Sequence, residues 1–406
     1  MSQQPSAIAL PEHVPAHLVR EVDVVNDPDV LDEPWLALDR LRQQAHVLWS
    51  PRLGGHWLVL GSAEVREAFQ HGEAFSSYPT GLPSMEGFWP RKLIPEELDG
   101  DEHQRYRRLL SPFFSPGAIR PLAASVRSRA VELIGRFADS DGCEFMEAFA
   151  RPLPSTVFLD LFGAPTAQAE TFTQWTYDLL HANDIAVSTE TGKQIVGYLI
   201  SLIAGRRRAP QQDLISGLIA SSVGGRPLSD EELLDTAFLL FIAGLDTVTS
   251  QLGVVFHHLA THPNLQQSLR AAPASISDAL EELLRVYPIV PPVRTLTRDY
   301  VLGGIEMKQG DKVLLGTSGA SRDPAVFDNP GEVRVGREST WTTAFGLGAH
   351  RCLGMHLARQ ELLISLQLML SSIPAFELAP GARPKWHTVG NVWGLDQLQL
   401  RFRRNG

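Results

Sequence analysis

The chain of 406 residues contains only two cysteines, Cys143 and Cys352. Two cysteines cannot build the multi-disulfide framework of a small secreted protein, which excludes that class. The first residues have neither the basic nor the apolar region of a secretory signal peptide. We therefore expect a cytoplasmic protein, because a reducing compartment keeps a thiol available as a ligand.

Long apolar runs and an excess of positive charge are also missing. The longest apolar run, around residues 237–245, is much shorter than the roughly 20 residues that span a bilayer, so no membrane association is expected. The net charge of -10 disfavours a nucleic-acid partner.

The remaining pattern is that of one mainly helical protein. Helices are predicted in residues 103–137 and 167–286, and strands at 55–60 and 311–315. Residues 81–101 predict a long loop because they are rich in proline and glycine. No linker or repeat divides the sequence, so we expect residues 1–406 to form a single domain with an extended arm at 1–18. The predicted fold class is mainly α with small β-sheets (α+β).

The surroundings of Cys352 predict a metal ligand. It lies in a glycine-rich loop at residues 345–354, and an apolar-periodic helix follows. A helix N-terminus favours the thiolate form, which binds metal. One thiolate does not suit zinc, which takes about four protein ligands, but it suits a haem iron, whose porphyrin supplies four donors. The alternative is a buried, inert thiol.

The loop also has a specific spacing of other residues. Phe345 lies seven positions before Cys352, Gly348 four before, His350 two before, and Gly354 two after. This string resembles the haem-binding loop of the cytochrome P450 family, and the resemblance covers nearly the whole chain. It is nearest to the soluble bacterial camphor-hydroxylating type. It implies a triangular, prism-like helical fold and a haem b (iron protoporphyrin IX) cofactor, with Cys352 as the iron ligand and Phe345, His350 and Gly354 at the cofactor.

A second motif lies at residues 243–247, inside a long apolar helix predicted from about 230 to 258. An acid, a hydroxyl and a glycine are costly at such a position. The alternative to a function is a local polar kink. The pentamer resembles the oxygen-activating helix of the family, which implies that Asp246 and Thr247 deliver protons to the reaction. The Arg that pairs with this acid in the camphor type falls on His181, which suggests a pH-dependent relay.

A third motif is the pair Glu282 and Arg285, which are spaced to meet on one helix face. Alone, such a pair is usually a surface ion pair of little value. Its position matches the buried Glu-x-x-Arg pair of the family, which implies a structural role in supporting the Cys loop. The family's third partner, normally Arg or His, falls on Glu332, with Arg334 nearby, so its identity stays open.

Four further residues match family positions that bind the haem propionates. Arginine and histidine suit carboxylate groups, and the matching residues are His103, Arg107, Arg294 and His350. Each taken singly has a surface charge as its alternative. The propionate-side Asp of the camphor type falls on Pro292.

The resemblance also implies an apolar substrate pocket. The candidate lining residues are Phe88, Trp89, Leu239, Ile242, Ala243, Val290, Asn391 and Val392. Asn391 is the candidate for a single orienting hydrogen bond. The substrate-binding Tyr of the camphor type has no counterpart, which argues against camphor itself. The composition favours a compact terpenoid or a small aromatic compound.

The predicted function is therefore that of a haem-thiolate monooxygenase, monomeric, which hydroxylates a small apolar substrate with O2. The resemblance implies electrons from a 2Fe-2S ferredoxin and its NAD(P)H-dependent reductase. A basic docking face would consist of Arg105, Arg108, Arg351 and Arg359. One alternative is a peroxygenase that uses H2O2, which would not need the Asp246–Thr247 pair. The other is a non-catalytic haem-binding sensor, which would usually carry an output domain.

Overall fold

The structure, a computed structural model, describes residues 8–82, 89–182, 184–339, 341–389 and 392–403. The chain forms two compact units. The first comprises Met1–Gln104, Glu281–Cys352 and Trp386–Trp393, and the second comprises Arg105–Leu280, Leu353–Lys385 and Gly394–Gly406. That residues 1–406 act as a single domain stays a prediction.

The first unit is built on a five-stranded sheet. Its strands, in order across the sheet, are Val47–Ser50, His56–Val59, Lys312–Leu315, Val293–Leu296 and Phe75–Ser76. Lys312–Leu315 runs parallel to His56–Val59, and the other pairs are antiparallel. All four residues of His56–Val59 are buried, so this strand is apolar almost throughout rather than alternating.

The helices of the first unit are short. They are Pro28–Asp32, Pro34–Arg42, Ser62–Gln70 and Thr317–Ser321, with 3-10 turns at Ala16–Leu18, Arg52–Gly54 and Gly348–His350. A hairpin of Tyr300–Leu302 and Ile305–Met307 turns through Gly303 and Gly304, which both have positive φ as its two-residue turn requires.

The N-terminal arm is anchored where it is described. Val14 and Leu18 are buried in the core of the first unit. The Asp311 carboxylate accepts hydrogen bonds from His13 Nε2 at 2.9 Å and from Trp57 Nε1 at 2.8 Å. These contacts fix the arm against the sheet.

The second unit is mostly helical. Its α-helices are Pro116–Ile119, Ala123–Gly135, Pro152–Phe162, Ala169–His181, Ile185–Arg208, Leu214–Ala220, Asp230–Thr261, Pro263–Ala271 and Met355–Ser372, with a π-helical turn at Met146–Ala150 and 3-10 turns at Ser111–Phe114, Arg120–Leu122 and Thr166–Gln168. A three-stranded sheet contains Ala375–Leu378, Gln399–Arg403 and Gly142–Glu144, and a small hairpin contains Ser222–Val223 and Arg226–Pro227.

Some elements contribute residues to both units. They are the helices Gly100–Leu110 and Ile276–Val286 and the tail strands Lys385–Val389 and Val392–Gln397, whereas the 3-10 turn Pro273–Ser275 lies in the second unit. The predicted fold class, mainly α with small β-sheets, is confirmed.

The long Asp230–Thr261 helix begins with a capping box, in which Ser229 and Glu232 satisfy each other's backbone N–H groups. Its length and composition would also allow it to cross a membrane, contrary to the expectation from the apolar run alone. Because 72% of its most apolar window is buried within the protein, the helix has the properties of a core helix.

Candidate active site

The loop before Cys352 is a tight backbone turn. Gly346 N–H donates to the Thr343 carbonyl at 2.8 Å, and Cys352 N–H donates to the Phe345 carbonyl at 2.8 Å. Gly346 and Gly348 have φ of 65° and 67°, a region that favours glycine. The Cys352 side chain is exposed, so the turn presents the thiol rather than burying it as an inert core residue.

Two of the loop glycines have different surroundings. A Cβ at Gly348 would lie 2.6 Å from the Phe69 carbonyl oxygen, so glycine is needed here for close backbone packing rather than for room beside a flat group. A Cβ at Gly354 would meet nothing within 4 Å. Gly354 is the N-cap of the Met355–Ser372 helix, which places Cys352 beside a helix start, as predicted.

The loop is anchored at its beginning by Thr343, which is fully buried. The Thr343 hydroxyl donates to the Thr317 carbonyl at 2.6 Å, and its backbone N–H donates to the Ser321 hydroxyl at 2.9 Å. Both partners lie on the Thr317–Ser321 helix. This short helix therefore fixes where the Cys loop starts.

Glu282 and Arg285 form the buried pair that the sequence predicted. Both side chains have 0% exposure. Arg285 Nε donates to Glu282 Oε1 at 2.9 Å, and Arg285 Nη2 donates to Oε2 at 2.8 Å. The remaining Arg285 donors reach the carbonyls of Ser321, Pro330 and Glu332 at 2.8–3.0 Å. The pair thus holds the segment that leads into the Cys loop.

The third partner is Arg337, whose Nε donates to Glu282 Oε1 at 2.7 Å. The sequence left this partner open, with Glu332 at the family position and Arg334 nearby, and neither of these two side chains is the partner. The Glu332 carboxylate pairs with the exposed Arg334 at 3.1 Å, while Arg334 gives Glu282 only its backbone N–H, at 3.3 Å. The segment has no helix or strand, so no periodicity in the sequence could have identified the Arg that turns inward.

His350 lies in a polar cluster of the first unit. Its Nε2 is 3.2 Å from the Ser77 hydroxyl and 3.7 Å from Asp99 Oδ1. The His103 ring stacks on the His350 ring, with centroids 3.9 Å apart and planes at 23°. Asp99 also accepts from the Ser76 hydroxyl and from Ser77 N–H. Two of the predicted cofactor residues, His103 and His350, are therefore in contact.

The sequence analysis did not identify Asp99. Burial acts to raise the pKa of its carboxyl group, but the His350 imidazole nearby and hydrogen bonds from Ser76 and Ser77 outweigh burial and lower the pKa to about 2. Asp99 is therefore ionised at neutral pH. An acid between a proline-rich loop and a helix start is a common helix-capping pattern, so the sequence offered no distinct signal for it.

Arg294 extends into the same unit from the Val293–Leu296 strand, where it lies opposite Val313. The side chain is buried, with 8% exposure. Burial lowers the pKa of its guanidinium to about 10, although Glu96 and Asp99 partly offset this. Among the residues that the structure describes, no carboxylate lies within ion-pair distance of Arg294. A buried cation of this kind favours an anionic ligand.

These residues fit a haem. Haem carboxylates would compensate the buried charge of Arg294, and an exposed thiol would supply one axial ligand. No cluster of metal-ligating side chains in the described ranges includes Cys352, so the other donors to a metal at this thiol would come from a cofactor. Arg107, the remaining predicted propionate ligand, is half-buried on the Gly100–Leu110 helix one turn after His103.

The second unit contains the predicted proton relay. His181, the last residue of the Ala169–His181 helix, donates through Nε2 to Asp246 Oδ1 at 3.1 Å. The two side chains are only 6% and 14% exposed. Tyr177 stacks on the His181 ring at 4.6 Å, with the planes 5° apart. The structure thus brings His181 to Asp246, and the stacking fixes the imidazole orientation.

Thr247 and Gly244 have local partners on the same helix and beside it. The Thr247 hydroxyl donates to the Ala243 carbonyl at 3.1 Å. A Cβ at Gly244 would lie 2.3 Å from the Phe158 ring, so glycine at this position allows close packing of the Pro152–Phe162 helix. Asp230–Thr261 remains one continuous α-helix through this region.

The predicted pocket and docking residues lie on both units. Phe88 and Asn391 lie outside the described residues. Trp89, Val290 and Val392 belong to the first unit, and Leu239, Ile242 and Ala243 to the second. Arg105, Arg108 and Arg351 are exposed and Arg359 is half-buried.

Comparison with known proteins identifies the family. A model described as Cytochrome P450 matches residues 188–386. The chain is 34% identical over 404 residues to the probable cytochrome P450 127A1 of Sinorhizobium fredii, with 97% of each chain covered. The chain belongs to the cytochrome P450 family. It is also 30% identical to the cytochrome P450 monooxygenase PikC of Streptomyces venezuelae, over 93% of this chain and 92% of that one.

A solved structure extends the likeness to the fold. Cytochrome P450 CYP101C1 resembles this P450 with a TM-score of 0.91 and 32% identity, covering 98% of this chain and 100% of the other. The fold is therefore the P450 fold, as expected. The protein is a P450 monooxygenase, and its cofactor is haem b.

The Arg337 assignment can be tested by stability. Arg337→Ala leaves the buried Glu282 carboxylate with one charged partner fewer, so we expect a loss of about 1–3 kcal/mol in the free energy of unfolding. Arg334→Ala is the matched control, because its side chain is exposed and its backbone N–H is retained; we expect a change within about 0.5 kcal/mol. Denaturant unfolding of the haem-loaded proteins measures both. Equal losses in the two variants would contradict the assignment.

Proposed function

We propose that this P450 hydroxylates a small apolar substrate with O2, using electrons from a 2Fe-2S ferredoxin and its NAD(P)H-dependent reductase. The observation that carries the proposal is the Asp246–His181 contact beside Thr247. Reduction of O2 consumes protons, so a poorly exposed acid with a titratable neighbour has a use there. A peroxygenase receives its protons with H2O2, and a sensor needs no relay.

The cofactor would be held by the loop around Cys352 and by four basic side chains. Cys352 would supply a thiolate to the iron. Arg294, His103, His350 and Arg107 would bind the propionates, and the other predicted cofactor contacts, Phe345 and Gly354, lie on either side of Cys352 in the sequence. When bound, haem b supplies the O2-activating redox chemistry.

The protons would pass through Asp246 and Thr247. Asp246 exchanges protons with His181, which holds its carboxylate at one orientation. The Thr247 hydroxyl donates to the Ala243 carbonyl, and its oxygen can still accept a hydrogen bond from a proton donor. The two adjacent side chains can therefore hold a proton near the substrate without opening the helix to bulk water.

The substrate class is proposed from the lining residues and from the resemblance to the camphor-hydroxylating type. Trp89, Val290, Val392, Leu239, Ile242 and Ala243 are apolar or small. They favour a compact terpenoid or a small aromatic compound, because binding would remove the apolar surface of such a compound from water. Arg105, Arg108, Arg351 and Arg359 would dock an acidic ferredoxin in the cytoplasm.

The proposal is tested by NADH consumption with added ferredoxin and reductase. A terpenoid and aromatic panel is first screened for compounds that shift the Soret band from the low-spin to the high-spin position. We expect such a compound to stimulate NADH consumption and to yield a hydroxylated product. Product formed with H2O2 but not with the electron-transfer partners would instead identify a peroxygenase. A ligand-induced spectral change with no product by either route would favour a sensor.

The relay predicts separate effects for its two members. Asp246→Asn removes the ionisable group, so turnover should fall by about 10²–10⁴. Thr247→Ala should divert electrons to peroxide and so lower the product formed per NADH. The control is Thr249→Ala, since the Thr249 hydroxyl makes the same kind of bond to the carbonyl four residues earlier, at 3.0 Å. Wild-type rate and coupling in both relay variants would refute the relay.

The pairing of His181 predicts a pH response. Histidine can gain or lose a proton near neutral pH, whereas arginine stays charged. Turnover should therefore depend on pH, and His181→Arg should flatten this dependence while substrate binding stays nearly intact. Tyr177→Phe keeps the stacked ring and serves as the control with a wild-type profile. If His181→Arg keeps the wild-type profile, the pH response belongs to another group.

A further inference from the structure

We propose that Asp99 is a positioning residue for the haem, which orients the imidazole of His350 for a propionate. The inference rests on the role proposed above for His350. It adds a residue that the family motifs in the sequence did not indicate.

The Asp99 carboxylate is itself held in place by hydrogen bonds. The Ser76 hydroxyl donates to one oxygen, and Ser77 N–H donates to the other at 3.1 Å. Ser76 is paired with Thr295 in the five-stranded sheet, so both serines are held by the sheet edge. A carboxylate with these donors has little freedom to rotate, and it can act as a fixed reference for its neighbours.

The Nε2 edge of the His350 ring lies beside Ser77 and Asp99. Nε2 lies 3.2 Å from the Ser77 hydroxyl and 3.7 Å from Asp99 Oδ1. The ring plane is held by stacking with His103 at 3.9 Å. Together these contacts restrict the rotation of the His350 ring, so Asp99 and Ser77 set the orientation in which it would meet a propionate.

The Asp99 carboxylate influences more than one of the predicted propionate ligands. Its negative charge opposes the effect of burial on Arg294, and through His350 it is linked to the His103 ring. Removal of the Asp99 charge should therefore loosen His350 directly and affect the other two ligands only secondarily. Loss of a carboxylate that orients a metal-binding histidine typically costs about 10–100-fold in metal affinity or activity, and we expect an effect at the lower end of that range for a histidine that binds a propionate.

The test measures the rate of haem loss from the ferric holoenzyme to excess apomyoglobin. Asp99→Asn keeps the shape of the side chain but removes its charge, so we expect haem loss about tenfold faster. His350→Ala should have a similar effect. If Asp99 acts through His350, the double variant should lose haem no faster than His350→Ala alone. Asp101→Asn, an exposed acid in the first turn of the same helix, should lose haem at the wild-type rate.

The outcome is distinguishable from a general loss of structure and from failure of the proposed function. A merely structural Asp99 would give additive effects in the double variant, which would overturn the inference, as would wild-type haem loss in Asp99→Asn. If Asp99→Asn does not fold, Ser77→Ala removes a contact to the same nitrogen and must show the same non-additivity with His350→Ala. Haem loss does not depend on turnover, so an incorrect substrate or redox partner would leave this result unchanged.

Discussion

A carboxylate with no access to water must be paired inside the protein, and Glu282 is such a group. Arg285 and Arg337 supply that pairing. Arg285 also donates hydrogen bonds to backbone carbonyls of the segment before the Cys loop. Breaking a buried pair leaves an uncompensated charge, which is strongly unfavourable. The position of the Cys loop therefore depends on the pairing of the Glu282 carboxylate, which is distant from Cys352 in the sequence.

A carboxylate beside a histidine occurs at each of the two predicted sites, with different consequences. Asp99 is held by several donors in the first unit, which makes it a fixed anion beside His350. Asp246 has His181 as its ion-pair partner in the second unit and is adjacent to a hydroxyl on a core helix. A carboxylate with many fixed donors serves for orientation, whereas one whose partner is a titratable histidine can exchange protons.

The sequence predicted those features that depend on local pattern. The Asp230–Thr261 helix and the placement of Cys352 before a helix follow from local pattern. Spacing also puts Glu282 and Arg285 on one helix face, but the burial of this pair was implied only by the family resemblance. Arg337 and Asp99 could not be predicted, because their partners are distant in sequence and they lie in or beside irregular backbone. The close approach of Gly348 to Phe69 is likewise a tertiary contact that no local pattern encodes.

The central proposal is that the Cys352 thiolate would bind the haem iron. X-ray absorption at the iron edge of the ferric protein tests this most directly, because it counts sulfur neighbours of the metal. We predict one sulfur scatterer in the wild type and in Cys143→Ser, since burial raises the pKa of the Cys143 thiol to about 12 and disfavours its thiolate. Cys352→Ser should lose the sulfur scatterer. A sulfur signal that survives in Cys352→Ser, or none in the wild type, would contradict the account.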